Sequence, residues 1–137
     1  MDLNFVNADT QDFDPRTYVR ILVAIAKADK ENGPPEFDYV RRQADRLGLD
    51  SEHFFRNTDK SFLIERQKVG RLTALVILKD AIALASLDGN LSLPERMKIY
   101  TYAERLDISR SDVDMLEKLI AQYRQLDICW EQLVSGN

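Results

Sequence analysis

Apolar residues recur at helical spacing along almost the whole chain, and no window shows the alternation of a half-buried strand. Asp14 and Pro15 form a helix start signal, because aspartate caps helix N-termini and proline is tolerated at the first helical position. The first predicted helix therefore runs from Pro15 to Asp29. A Gly-Pro-Pro run at 33–35 separates it from a second helix, which ends before Gly48.

The pattern predicts further helices after residue 50. Asp50 caps a short third helix, and a long helix runs from about Ser61 to Leu87. Its second half is apolar on nearly every side, which predicts the central, enclosed element of the fold. Ser92 and Glu95 have the spacing of a capping box. The last helix follows Ser109, and its apolar residues continue to the end of the chain, at Val113, Leu116, Leu119, Ile120, Tyr123, Leu126, Cys129, Trp130, Leu133 and Val134. The predicted class is all-α.

Composition narrows the protein classes further. The 137 residues predict one domain over 1–137, and 45% hydrophobic residues supply a core without disulfides or structural metal ions. Residues 1–14 are predicted to form an acidic tail whose aromatic residues dock on the core. A net charge of −4 disfavours nucleic acid or an anionic membrane as the main partner. The single cysteine, Cys129, allows no internal disulfide and no cysteine-ligated zinc site. No signal peptide and no apolar run of 18 residues is present, so we expect a cytoplasmic protein without membrane insertion.

The chain contains an internal duplication. A shift of 59 residues overlays 23–50 on 82–109 without a gap and gives eight identities in 28 positions. Each copy predicts one helix–turn–helix unit. Neither unit can enclose its apolar face alone, so we expect the two copies to pack as a pseudo-symmetric pair.

Each copy carries an aspartate, a six-residue turn and a glutamate. Glu36 and Glu95 occupy the third helical position, where a carboxylate caps the backbone and needs no ligand. Asp29 and Asp88 instead end apolar helices, where free carbonyls already make the surroundings negative. Either a divalent cation or a hydrogen bond from the backbone of the turn would stabilise an aspartate there. The sequence leaves both alternatives open.

At these turns the chain resembles the TerB-like family of helical tellurite-resistance proteins, over roughly residues 15–125. The resemblance is carried by two short motifs, Ala-Lys-Ala-Asp29 with Pro35-Glu36 and Ala-Ser-Leu-Asp88-Gly89 with Pro94-Glu95. It implies a compact bundle of about seven helices with internal two-fold symmetry, and a role in resistance to tellurite and other stresses. It also implies an acidic cluster that binds metal, here Asp29, Glu36, Asp88 and Glu95. Lys30 departs from the family pattern, which has glycine after the first aspartate.

Two functions follow as hypotheses. The first is a non-catalytic, TerB-like stress-response module whose acidic turns bind a divalent cation such as calcium. The second is a metal-free helical module that binds another protein through the long helix or the acidic tail. No catalytic residue is predicted, because the only histidine, His53, has neither a second histidine nor a nearby cysteine to support it.

Overall fold

The computed structural model describes residues 2–136 and contains no strand in that range. The predicted all-α class is confirmed. The described residues form six helices rather than about seven, α1 (Pro15–Ala28), α2 (Pro34–Arg46), α3 (Ser51–Asn57), α4 (Arg71–Ala85), α5 (Leu93–Arg105) and α6 (Arg110–Ser135). Met1 and Asn137, the ends of the predicted domain, lie outside the described residues.

Helices α1 and α4 form the centre of the bundle. Helix α4 buries residues on all its sides, as its sequence predicts, and it contacts α1, α2, α5 and α6. Helix α1 contacts α2, α3, α4 and α5. Exchanging α1 with α4, α2 with α5 and α3 with α6 therefore reproduces the same set of helix–helix contacts.

The predicted start of the long helix at Ser61 is wrong, because α4 begins at Arg71. Residues 61–70 form no helix and run over the surface, with Ile64 buried in the core. The backbone N–H of Gln67 donates to the carbonyl of Arg105, 3.0 Å away. This segment thus obtains its burial and hydrogen bonding from contacts distant in sequence rather than from helical turns.

Residues 2–14, which we name the N-terminal strap, pack against the bundle through their aromatic residues, as expected for the acidic tail. Phe5 is buried and stacks on Tyr18, with ring centroids 4.0 Å apart, and Phe13 meets Phe5 edge to face. Asp12 accepts hydrogen bonds from Gly70 N–H and the Thr73 hydroxyl, both at 2.6 Å, and so caps α4 from outside it. The strap is part of the folded structure.

Helices α2 and α5 have similar local geometry at an offset of 59 residues. Helices α2 and α5 start and end 59 positions apart, and each has 13 residues. Each is followed by a residue at positive φ, Gly48 at 71° and Asp107 at 61°. Leu49 N–H donates to Ala44 O after α2, and a bond of the same kind, shifted by 59 residues, follows α5. Positive φ favours glycine, so aspartate at 107 occupies a conformation that costs on the order of 1 kcal/mol.

Candidate functional site

Asp29 and Asp88 lie in the two turns, where the duplication places them. The Asp29 Oδ1 atom accepts the backbone N–H of Glu31 at 2.9 Å. The Asp88 Oδ1 atom accepts the backbone N–H of Asn90 at 3.0 Å. Both carboxylates therefore cap their own turns through a bond to the residue two positions ahead, which is one of the two alternatives left open by the sequence.

Glu95 is buried and belongs to the predicted capping box, which is confirmed. The Ser92 hydroxyl bonds the backbone N–H of Glu95, and the Glu95 carboxylate bonds the backbone of Ser92 in return. Glu95 also accepts a hydrogen bond from the other acidic turn, where Asn32 Nδ2 donates to Glu95 Oε2 at 3.0 Å. Burial raises the pKa of Glu95, and the negative charge of Asp29 adds to this rise. The turn between α1 and α2 therefore lies beside the N-terminal end of α5.

Glu36 is the counterpart of Glu95 in the first copy, and it is also buried. Its Oε2 atom has no hydrogen-bond partner among the described residues. The duplication gives a physical reason. The residue 59 positions after Asn32 is Leu91, which has no side-chain donor to offer a carboxylate.

The described residues bring no three of the predicted metal ligands into one place. Within residues 2–136, no group of three or more histidine, cysteine, aspartate or glutamate side chains could hold a metal ion. Three of the four predicted ligands already bond protein groups, and Glu36 is the one with a buried side-chain oxygen that lacks a partner among the described residues. The four carboxylates fit a shared cation poorly, and the predicted cation site stays a prediction.

Arg124 of α6 joins the second turn to the last helix. Its guanidinium donates to the carbonyl of Ala83 at 2.8 Å and to the carbonyl of Ser86 at 2.5 Å. These carbonyls belong to the C-terminal end of α4, whose last turn has no basic residue of its own. Asp88 is close enough to interact electrostatically with Arg124. The sequence carries no local signal for the role of Arg124, because its partners lie about 40 positions earlier in the chain.

Most apolar residues of α6 lie on two faces, although Tyr123, Ile128 and Val134 are exposed outside both sets. Val113, Leu116 and Ile120 are buried against the bundle. A second set faces solvent, and we name it the outer stripe; its members and their exposed fractions are Met115 53%, Leu119 43%, Leu126 68%, Trp130 64% and Leu133 73%. Every described residue from Gln125 onward is exposed, so the last three turns of α6 project beyond the bundle. We name residues 125–136 the α6 arm.

The outer stripe is continuous along α6. At 100° per residue its five positions fall within about 60° of the helix circumference, and at 1.5 Å per residue they span about 27 Å. Three of them, Leu119, Leu126 and Leu133, are seven residues apart, as in the seam of a coiled coil. Polar residues border one side of the stripe, at Lys118, Gln122, Gln125 and Gln132.

The sequence suggested the long helix and the acidic tail as partner-binding surfaces, and both pack mainly against other parts of the protein. Apart from Leu72, which is about half exposed near the start of the helix, the large apolar residues of α4 pack against its four neighbouring helices, and the aromatic residues of the N-terminal strap are buried. Of the apolar surfaces on the described residues, the outer stripe combines the greatest length with a helical period. The candidate functional site is therefore on α6.

No protein-family model, no curated protein and no solved structure matches this chain. None of the helices formed by residues 2–136 has the length and apolar character needed to cross a bilayer.

Proposed function

We propose that this protein is a non-catalytic helical module that binds another protein through the outer stripe of α6. The observation that carries the proposal is the exposure of five large apolar side chains along one line of α6. Monomeric soluble proteins rarely expose an apolar patch of more than a few hundred Å², and larger patches mark interaction surfaces. A helix with this period fits a partner that presents an apolar helix.

The energetics favour a protein partner over a lipid surface. Covering apolar area stabilises a complex by about 25 cal/mol per Å², and Trp130 supplies the kind of large aromatic anchor that dominates interfaces. The α6 arm contains Asp127 and Glu131 and no lysine or arginine. Helices that lie on anionic bilayers carry basic residues on the polar face, so this arm suits a protein.

The resemblance to the TerB-like family gives the proposed context, a cytoplasmic response to tellurite or another stress. The matching bounds of α2 and α5, the paired positive φ values and the exchangeable helix contacts support two pseudo-symmetric copies of one helix–turn–helix unit. Under this proposal the two helix–turn–helix units form the scaffold. Helix α6, which follows the second unit, continues beyond the bundle as the binding arm.

A photocrosslinking amino acid placed in living cells tests the proposal. At Leu126 we expect adducts with one identified protein, joined through residues of one helical segment. Leu93 is the matched control, because it is also a leucine, is also 68% exposed and lies on α5. Equal adducts from both positions, or none from Leu126, would contradict the proposal.

A divalent cation at the first acidic turn is a second candidate function, and Glu36 supports it. A buried carboxylate oxygen without a hydrogen-bond donor is costly, and a hard cation would supply its missing partner. Under this candidate, occupancy by the cation would stabilise the turn between α1 and α2.

The cation candidate predicts a rise in the thermal midpoint with millimolar calcium, magnesium, manganese or zinc. A ligand at 100 times its dissociation constant stabilises the folded state by about 2.7 kcal/mol. Glu36→Gln should abolish the rise, whereas Asp38→Asn, which changes an exposed acid on the same helix, should keep it. A midpoint that does not move with any of the four ions counts against the candidate.

A further inference from the structure

We infer that the partner of the outer stripe is a second copy of this chain, with the two α6 helices paired antiparallel about Leu126. This inference rests on the proposed function, because it names the occupant of the same surface. It starts from the symmetry of the stripe, since a two-fold interface must be complementary to itself.

The spacing of the leucines meets this requirement. Leu119 and Leu133 each lie seven residues from Leu126, one before it and one after it. Antiparallel pairing centred on Leu126 therefore sets Leu126 against its own copy and Leu119 against Leu133 of the second copy. The exposed stripe covers both the bundle-packed half of α6 and the α6 arm, so each arm finds an apolar track on the other copy.

The polar border of the stripe is also compatible with itself. In an antiparallel two-fold pair, one border of the seam faces the same border of the second copy. Here Gln125 would face Gln125, and Gln122 would lie beside Cys129. These side chains are uncharged, so this border meets its own copy without like-charge repulsion.

Charge complementarity favours the antiparallel direction. The last turn of α6 has no basic residue to balance the negative end of its dipole. Lys118 lies eight residues before Leu126, and antiparallel pairing brings it beside residue 134 of the second copy, in that last turn. A parallel pair would instead align the two helix dipoles head to head.

The area sets the expected strength. Two stripes of about 20 Å that cover each other bury on the order of 1,000 Å² in total, which is the lower end for specific interfaces. An interface of this size is expected to give a weak, reversible dimer. Trp130, the only tryptophan, lies within the paired length and reports on its burial.

Sedimentation equilibrium of the full chain from about 1 to 500 µM tests the inference. The weight-average mass should rise from 15.8 kDa toward twice that value, and the emission of Trp130 should shift to shorter wavelength with concentration. Leu126→Glu should weaken association at least about tenfold, because it places two carboxylates at the centre of the seam. Leu93→Glu adds the same charge at an equally exposed leucine on α5 and should dimerise normally.

Cysteine crosslinking tests the direction. Oxidation of Gln122→Cys should join position 122 of one copy to Cys129 of the other, because antiparallel pairing brings these positions together. A Cys129–Cys129 disulfide in the unmodified chain would indicate parallel helices and overturn the inference. If the chain stays monomeric at 500 µM and Leu126 crosslinks a different protein, the inference of a second copy is wrong. The proposed function is then still supported. If Leu126 crosslinks nothing, both fail.

Discussion

Replacing Asp80 with alanine is expected to lower the free energy of unfolding by about 3–5 kcal/mol, the range found when a buried charged network loses one member. Asp80 is fully buried on α4. Its Oδ2 atom accepts the Phe5 backbone N–H at 2.9 Å and the Tyr18 hydroxyl at 2.7 Å. Its Oδ1 atom lies 3.3 Å from the Lys79 ammonium. Alanine leaves these donors without their acceptor and creates a cavity.

Asp80→Asn is the matched control, because an amide oxygen can still accept from Phe5 and Tyr18. It should cost less than half as much as Asp80→Ala in urea unfolding monitored by circular dichroism. Equal losses for both variants would show that the negative charge of the carboxylate, rather than its oxygen acceptor or its volume, sets the effect.

The same residue predicts a pH dependence. Burial raises the pKa of Asp80 above the unfolded value of about 3.9, and its hydrogen bonds only partly offset this. The folded state therefore binds the proton more tightly than the unfolded state. Stability from this group is fully present below the unfolded pKa and is lost as pH rises through the folded pKa. Relative to Asp80→Asn, the wild-type protein should lose stability over that window, and parallel pH profiles would contradict this assignment.

Phe5→Ala is expected to lower the free energy of unfolding by about 3 kcal/mol, as for other buried aromatic residues truncated to alanine. Phe5 fixes the N-terminal strap through its stacking on Tyr18 and its edge contact with Phe13. Loss of that anchor also weakens the Asp12 cap at the start of α4, because both belong to the same short segment.

Leu3→Ala provides the comparison for Phe5, since Leu3 lies in the same strap and is about half exposed. It should change stability by no more than about 0.5 kcal/mol. Urea unfolding of the two variants measures the difference. A Phe5→Ala variant as stable as Leu3→Ala would show that the strap contributes little to the fold.

Local signals in the sequence predicted much of the fold. Pro15 at the start of α1, the capping box at Ser92 and the positive φ of Gly48 each depend on residues within a few positions, and all three are confirmed. The enclosed character of α4 was also readable, because its residues are apolar on every side. The acidic turns were placed correctly, and their capping bonds are equally local.

The features that the sequence did not predict depend on distant residues. The start of α4 is fixed by Asp12, which reaches Gly70 from the N-terminal strap, so helical periodicity alone placed the start ten residues too early. The two faces of α6 were indistinguishable as sequence, because apolar period does not tell which residues meet the bundle. Cys129 was interpreted as a small apolar residue within a helix, and it is exposed on the α6 arm.

Arg124 connects the base of the α6 arm to the C-terminal end of α4, just before the second acidic turn. Its guanidinium donates hydrogen bonds to carbonyls at the end of α4, and the exposed arm begins at the next residue, Gln125. The 12 residues from Gln125 to Gly136 extend about 18 Å, so a tilt of about 10° at their base moves the end of the arm by about 3 Å.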